Sequence, residues 1–347
     1  MEVNVKSLYE KRKIRLAIFG LTIAFIAAMA NTTFQNFNVA ASGQISGDFV
    51  NTLLASYVLS VFTLGICELM GGVIAILFNV LVKGCPIAEY GRILGVKSSR
   101  TILLASLISS PIATAAAVMA IAQCGSTYAN CIIGLTPAIT AILGMIILKE
   151  KTGVRVWFGI ICSTVGVLIA TFGPPEGVIN FYSGIALACV CPVAYAVENI
   201  ISVHALDVSD SMLACPMYRM IGCAILEFII CIIVCAVTGH LDWLTLILSL
   251  ITSSPLCMLF LLCTAVFMAI QYNGTYASYA YCGATKASAI LWTGTIWTIP
   301  IGFAMSAMHI LDYSVTVQGI IGAVFVVIGI GLVVAKPSEL FSLRNNN

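Results

Sequence analysis

Three glutamates and one arginine stand inside long apolar runs of this chain: Glu68, Glu198, Arg219 and Glu227. An ionised group near the centre of a bilayer costs about 2.5–3.5 kcal/mol on insertion scales, so these four must pair, hold a proton or border water. Glu198 lies eight residues before a short polar loop at 206–212, and Arg219 lies seven after it. At ~1.5 Å per residue both then sit roughly 11–12 Å inside adjoining antiparallel helices, and a salt bridge between them is geometrically easy. Such a pair can simply lock two helices together, or Arg219 can orient Glu198 at the edge of a wet cavity. Glu68 and Glu227 are 159 residues apart and occupy matching runs of the two halves of the chain. Two carboxyls brought together away from water can keep a proton between them, and Glu68, Arg219 and Glu227 are therefore the expected coupling or gating residues.

A second set is aromatic. Tyr272, Tyr276 and Tyr279 are four and three residues apart, which puts them within roughly 60° of one helix face. The stretch "NGTYAS" between them is small and polar and suits a face lining water. A well-placed ring contributes about 2 kcal/mol to a desolvated cation. Three rings and a carboxylate reach the roughly 8 kcal/mol of micromolar binding once ordering costs are subtracted. Trp292 is a further expected cavity wall, while Tyr279 and Tyr281 stand near a helix end, where aromatic residues often anchor an interface.

The elements that position these groups are membrane helices. The chain has 347 residues, 61% hydrophobic and 9% charged, with a mean hydropathy of +1.08. That charge content is far below the ~25% of soluble domains. Ten runs are long enough to span: about 16–34, 53–80, 101–122, 129–148, 155–173, 183–205, 213–237, 256–278, 287–307 and 316–335. The apolar stretch at 242–254 is too short and reads as interfacial. Lys6, Lys11, Arg12, Lys13 and Arg15 precede the first run, which places the N-terminus in the cytoplasm. With ten spans, Lys83, Arg92, Lys97, Arg100, Lys149, Lys151, Arg155, Lys286, Lys336 and Arg344 all fall on the same side, and Arg219 alone is left over. The net charge of +2 thus reports orientation and does not point to nucleic acid. The expectation is one integral membrane domain over 1–347, multi-pass in the cell (plasma or inner) membrane, with a short cytoplasmic tail at 336–347.

Two repeats are visible, about 16–173 and 183–335. "FGIICSTVGVLIA" (158–170) recurs loosely as "QGIIGAVFVVIGIGLVVA" (318–335), and 125–144 has a weaker counterpart at 283–302. Five spans per half is an odd number, so the second half enters the membrane from the other side. Inverted repeats of this kind place a binding site near the midplane where the halves meet.

The stretch "GLTPAITAILGMIILKEKTGVRVWFGIICSTVGVLIATFGP" (134–174) resembles the signature of the drug/metabolite transporter superfamily in its ten-helix EamA-type form. The resemblance covers about 100–335 and implies an all-α secondary carrier, monomeric or homodimeric, that moves a small molecule across the bilayer by alternating access. A narrower resemblance, to the bacterial choline-transporter branch, rests on "FYSGIALACVCPVAYAVENIISVHAL", "MYRM" and "AIQYNGTYASYAYCGATKAS". It implies that Tyr195, Glu198, Tyr272 and Tyr276 enclose choline or another small amine or quaternary ammonium. The first helix lacks the tryptophan of that branch, and Phe19 or Phe25 is the expected aromatic substitute. Export of amino acids or other metabolites is the other reading within the superfamily.

Other functions find little support. No His-Glu-x-x-His, Gly-x-Ser-x-Gly or intramembrane aspartate pair suggests an enzyme, and no filter-like loop suggests a channel. The fourteen cysteines lie mostly within spans without histidines at ligand spacing, and so read as small packing residues; Cys124 and Cys131, near one outer hairpin, could pair, though nothing requires it. No cofactor or metal is implied. Pro111, Pro137, Pro192, Pro216 and Pro300 mark expected bends in the third, fourth, sixth, seventh and ninth helices.

Overall fold

In the computed structural model the described residues are 5–46, 52–147, 154–171, 180–206, 210–282, 287 and 290–334. Among them every regular element is helical. With no water in a hydrocarbon core, a chain must satisfy its backbone groups internally, and long runs of Leu, Ile, Val and Ala do so as helices. In chain order these are α1 (Val5–Ser46), α2 (Leu53–Leu81), the short α3 (Ile87–Ile93), α4 (Lys97–Ile108), α5 (Ala115–Cys124), α6 (Ser126–Ile133), α7 (Thr136–Ile147) and α8 (Val154–Ala170). The second part holds α9 (Phe181–Ala188), α10 (Val190–Leu206), α11 (Ser211–Ala214), α12 (Cys223–Thr238), α13 (Asp242–Ser253), α14 (Pro255–Cys282), α15 (Gly294–Ala307) and α16 (Val317–Val334).

Among the described residues, each of the expected runs is mostly helical, with 148, 172–173, 288–289 and 335 outside them. Seven helical stretches are long and apolar enough to cross a membrane, and 154–170, 242–253 and 317–332 form shorter apolar helices. The chain is an all-α polytopic membrane protein. The largest departure from expectation is α1, which runs 42 residues, about 63 Å, far beyond the 16–34 stretch. The polar run "NTTFQNFN" (31–38) continues the helix because its amides turn inward, with Asn36 and Asn38 fully buried.

The molecule is inside-out relative to a soluble protein. Ile229, Ile232 and Ile233 on α12 and Leu259 and Leu262 on α14 are exposed, while Thr32, Ser109, Thr114 and Ser278 are fully buried. The prolines account for the interruptions. Pro111 and Pro216 lie in two π-helical turns, Ser109–Thr114 between α4 and α5 and Cys215–Gly222 between α11 and α12. A proline withholds one donor and collides with the turn before it, and widening to π geometry absorbs both effects. Pro137 and Pro192 stand just after the breaks that separate α6 from α7 and α9 from α10. Pro300 sits within α15.

Helix pairing sets up the interior. α1 lies along α14, α2 along α12 and α14, α4 and α5 along α10 and α9, α6 along α15, and α8 along α16. α13 buries Trp243, Ile247 and Ile251 as one stripe spaced four residues apart. The cysteines whose side chains are described, Cys124 and Cys131 included, are unbridged, and most are buried. Lys149, Lys151, Lys286, Lys336 and Arg344 lie outside the described residues.

Candidate functional site: a charged centre beside an aromatic cavity

Arg219 is the hub. The π-helical turn that follows Pro216 carries it, and its side chain is wholly buried. Nε donates to Glu198 Oε1 on α10 at 2.9 Å and Nη1 donates to Glu68 Oε1 on α2 at 2.8 Å. The guanidinium also lies 3.9 Å over the ring of Tyr272 on α14. One cation therefore ties together α2, α10 and α14. Close approach is enabled by glycines on α2: a Cβ on Gly72 would stand 2.6 Å from Ile221 Cγ1, and one on Gly71 would stand 2.8 Å from the Ala265 carbonyl oxygen. The expected Arg219–Glu198 bridge is present, and the same arginine holds Glu68, which sequence spacing had paired only with Glu227.

Glu68 and Glu227 do meet, through a third residue. Ser110 Oγ lies 2.6 Å from Glu68 Oε1 and 2.7 Å from Glu227 Oε1. Both glutamates are fully buried, as is Ser110. Ser110 stands beside Pro111 in the first π-helical turn. The sequence analysis marked the bend at Pro111 and passed over the "SSP" triplet; two serines before a mid-span proline were the available signal. Glu68, Glu227 and Cys223 also bring their ligand atoms within 4.8 Å of one another, a grouping that could hold a metal ion. The protein fills that space otherwise: Ser110 bridges the two carboxyls and Arg219 is already bonded to Glu68, so a divalent ion would sit beside a guanidinium. The trio does not fit a metal.

Next to this centre is a cavity of about 60 Å³. A water-sized group needs roughly 10–15 Å³ on this measure, so the space holds a handful of heavy atoms. Tyr195, Glu198, Tyr272, Tyr276 and Trp292, the five residues expected to contact cargo, all line it. Tyr279, expected at an interface, lines it too and is buried. The tyrosine hydroxyls are held by their neighbours. Tyr195 Oη and Thr114 Oγ1 are 3.0 Å apart, Tyr276 Oη and Ser202 Oγ are 3.3 Å apart, and Tyr279 Oη donates to Asn199 Oδ1 at 3.0 Å. The Tyr195 and Trp292 rings pack at 5.7 Å between centroids. These bonds fix the rings before anything binds, which lowers the ordering cost of binding.

The aromatic of the first helix is not where it was expected. Phe19 and Phe25 are 52% and 40% exposed, and Phe25 packs edge-on against Trp297. Phe34, further along the same helix, lines the cavity instead, with its ring 6.2 Å from that of Tyr272. Gln35 beside it is a second cavity residue that sequence reasoning missed, and its buried Oε1 has no protein partner among the described residues. The amide-rich run of α1 was the signal, since a lipid-facing helix has no use for it.

A buried polar centre beside a cavity, inside a bundle of apolar helices, fits a membrane transporter, and the comparisons point the same way. Residues 45–172 match the EamA-like transporter family, and the chain is similar over that stretch to membrane transporters. A solved structure titled only "Crystal structure of protein" superposes with a TM-score of 0.53 at 11% identity, covering 90% of this chain and 96% of its own, and so shares the fold. No curated protein matches the sequence.

Proposed function

We propose that this transporter moves a small amine or quaternary ammonium, with choline as the type case, and that the cation sits in the cavity between Tyr195, Glu198, Tyr276 and Trp292. The observation that carries the proposal is the convergence of six rings and one carboxylate on a single small space. Arg219 covers one face of Tyr272, so the remaining rings supply most of the cation–π attraction. Glu198 is the one charged residue among the described residues of the lining, which disfavours amino acids, whose carboxylate would meet no cation there.

Alternating access needs two bodies that can rock. What supports two inverted halves is the pairing itself. Shifting each helix by five crossings exchanges the α1–α14 pair with the pair formed by α4–α5 and α9–α10. The same shift returns α2–α12, α6–α15 and α8–α16 to themselves. A pseudo-two-fold axis produces this pattern, and the cavity lies beside it. Both termini then share one side, the cytoplasmic one by the placement of lysine and arginine.

The test is uptake and counterflow of labelled choline in proteoliposomes, challenged with unlabelled amines and amino acids. Amines compete, preloading accelerates entry, and Glu198→Gln loses binding while remaining folded. Competition by amino acids alone, or normal choline binding in Glu198→Gln, removes the cargo assignment. Entry without counterflow removes the carrier mechanism.

A further inference from the structure

We propose that Glu227 carries a proton in the ligand-free protein and that this proton is released when a cation binds beside Glu198. The inference deepens the amine-carrier reading and its second half rests on it.

The argument begins with a hydrogen count. Ser110 Oγ is within 2.6 and 2.7 Å of two carboxyl oxygens. A hydroxyl has one hydrogen and can donate to one of them. The other contact needs a hydrogen of its own, and the available source is a protonated carboxyl donating to Ser110 Oγ. Without it, two bare oxygens would face each other at contact distance in a dry interior.

Position selects the proton's owner. Glu68 receives Arg219 Nη1 at 2.8 Å, which favours its ionised form, so Ser110 donates to Glu68. Glu227 has no cation in contact. The titratable and charged groups facing it are Glu68, Cys67 and Tyr57 from α2, Cys223 and Cys231 from its own helix, and Arg219 beyond Glu68. All but Arg219 are neutral or negative. Glu227 thus holds the hydrogen on Oε1 and gives it to Ser110. Its buried Oε2, which has no protein partner among the described residues, is then a neutral carbonyl oxygen and not half of a carboxylate.

Charge connects this site to the cavity. With Glu227 neutral, Arg219, Glu68 and Glu198 leave one net negative charge, and with Glu227 ionised they leave two, so a monovalent cation at Glu198 can replace the proton without changing the total. The contacts form an unbroken series: Glu227 to Ser110 to Glu68 to Arg219 to Glu198, the last on the cavity wall. A cation drawn to Glu198 weakens the hold of Arg219 on that carboxylate and frees the guanidinium to favour Glu68 and, through it, an ionised Glu227. By reciprocity, a proton on Glu227 weakens cation binding as much as the cation weakens the proton. The balance is simple: one cation enters, one proton leaves Glu227 for water, and the net charge of the centre is unchanged.

Two experiments on the purified full-length protein decide the matter. Infrared difference spectra of the ligand-free protein, taken across a pH jump in H2O and D2O, read the C=O stretch of a protonated carboxylic acid. The band is present, shifts in D2O, is displaced in Glu227→Asp and is absent in Glu227→Gln. Glutamine can donate to Ser110 as the acid does, so this variant keeps the fold. No band in the wild type, or a band retained in Glu227→Gln and lost in Glu68→Gln, overturns the assignment without reference to any cargo. In weakly buffered detergent solution, choline binding then releases up to one proton per cation in the wild type and none in Glu227→Gln. Choline binding with no proton release in the wild type overturns the exchange, and absence of choline binding alone overturns the cargo while the infrared result stands. Stoichiometric Zn²⁺ binding lost in Cys223→Ser would show a metal centre and would overturn the proton reading.

Discussion

The α2–α12 crossing and the α8–α16 crossing solve the same problem in opposite ways. Each brings together two helices far apart in the chain. At the first, Glu68, Ser110, Arg219 and Glu227 meet through charge and hydrogen bonds. At the second, backbone meets backbone: a Cβ on Gly322 would stand 2.5 Å from the Gly166 carbonyl oxygen, and one on Gly166 would stand 2.7 Å from the Val326 nitrogen. Lipid tails are as apolar as leucine, so helices in a membrane are held by close packing of small residues or by polar bonds, with little hydrophobic drive between them. The glycine seam is sensitive to size and indifferent to charge. The polar crossing is sensitive to charge, and that is the property a site coupled to a cation requires.

The contrast can be broken experimentally. Arg219→Met should have the largest effect, since it strands two buried carboxylates; removing one partner of a buried pair costs about 3–5 kcal/mol, read as unfolding in detergent. If it costs no more than a seam mutation, the centre is not what joins α2, α10 and α14. Glu68→Gln comes next, at about 1.5–3 kcal/mol for a lost charge-assisted bond. Gly322→Val should cost about 1–3 kcal/mol through overpacking, and it should leave choline binding near wild type unless the seam also sets the cavity shape. Smallest is Glu227→Gln, within about 0.5 kcal/mol, because the amide reproduces the donor that the proton supplies. An effect of Glu227→Gln equal to that of Glu68→Gln would mean the two carboxyls carry the same charge and would erase the asymmetry between them.

Legibility followed periodicity. The apolar runs, the inward face of Tyr272, Tyr276 and Tyr279, and the Glu198–Arg219 bridge were readable because a helix of known rise turns sequence spacing into distance. Bends at Pro111 and Pro216 were readable because proline has fixed steric consequences. Phe34 was missed in favour of Phe19 and Phe25, because which face of a long helix turns inward depends on its neighbours. In α1 the amides at 31–38 decided it.

The sequence by itself determined that this chain lives in a bilayer, where its helices lie, and which few ionisable side chains had to find partners there. Only the tertiary structure decided who the partners are. That Ser110 stands between two carboxyls, and that one arginine serves two glutamates and a tyrosine from three different helices, follows from how helices cross. Crossing is set by glycine contacts and π-helical turns far apart in the chain, and no local pattern encodes the meeting of residues 110, 68 and 227.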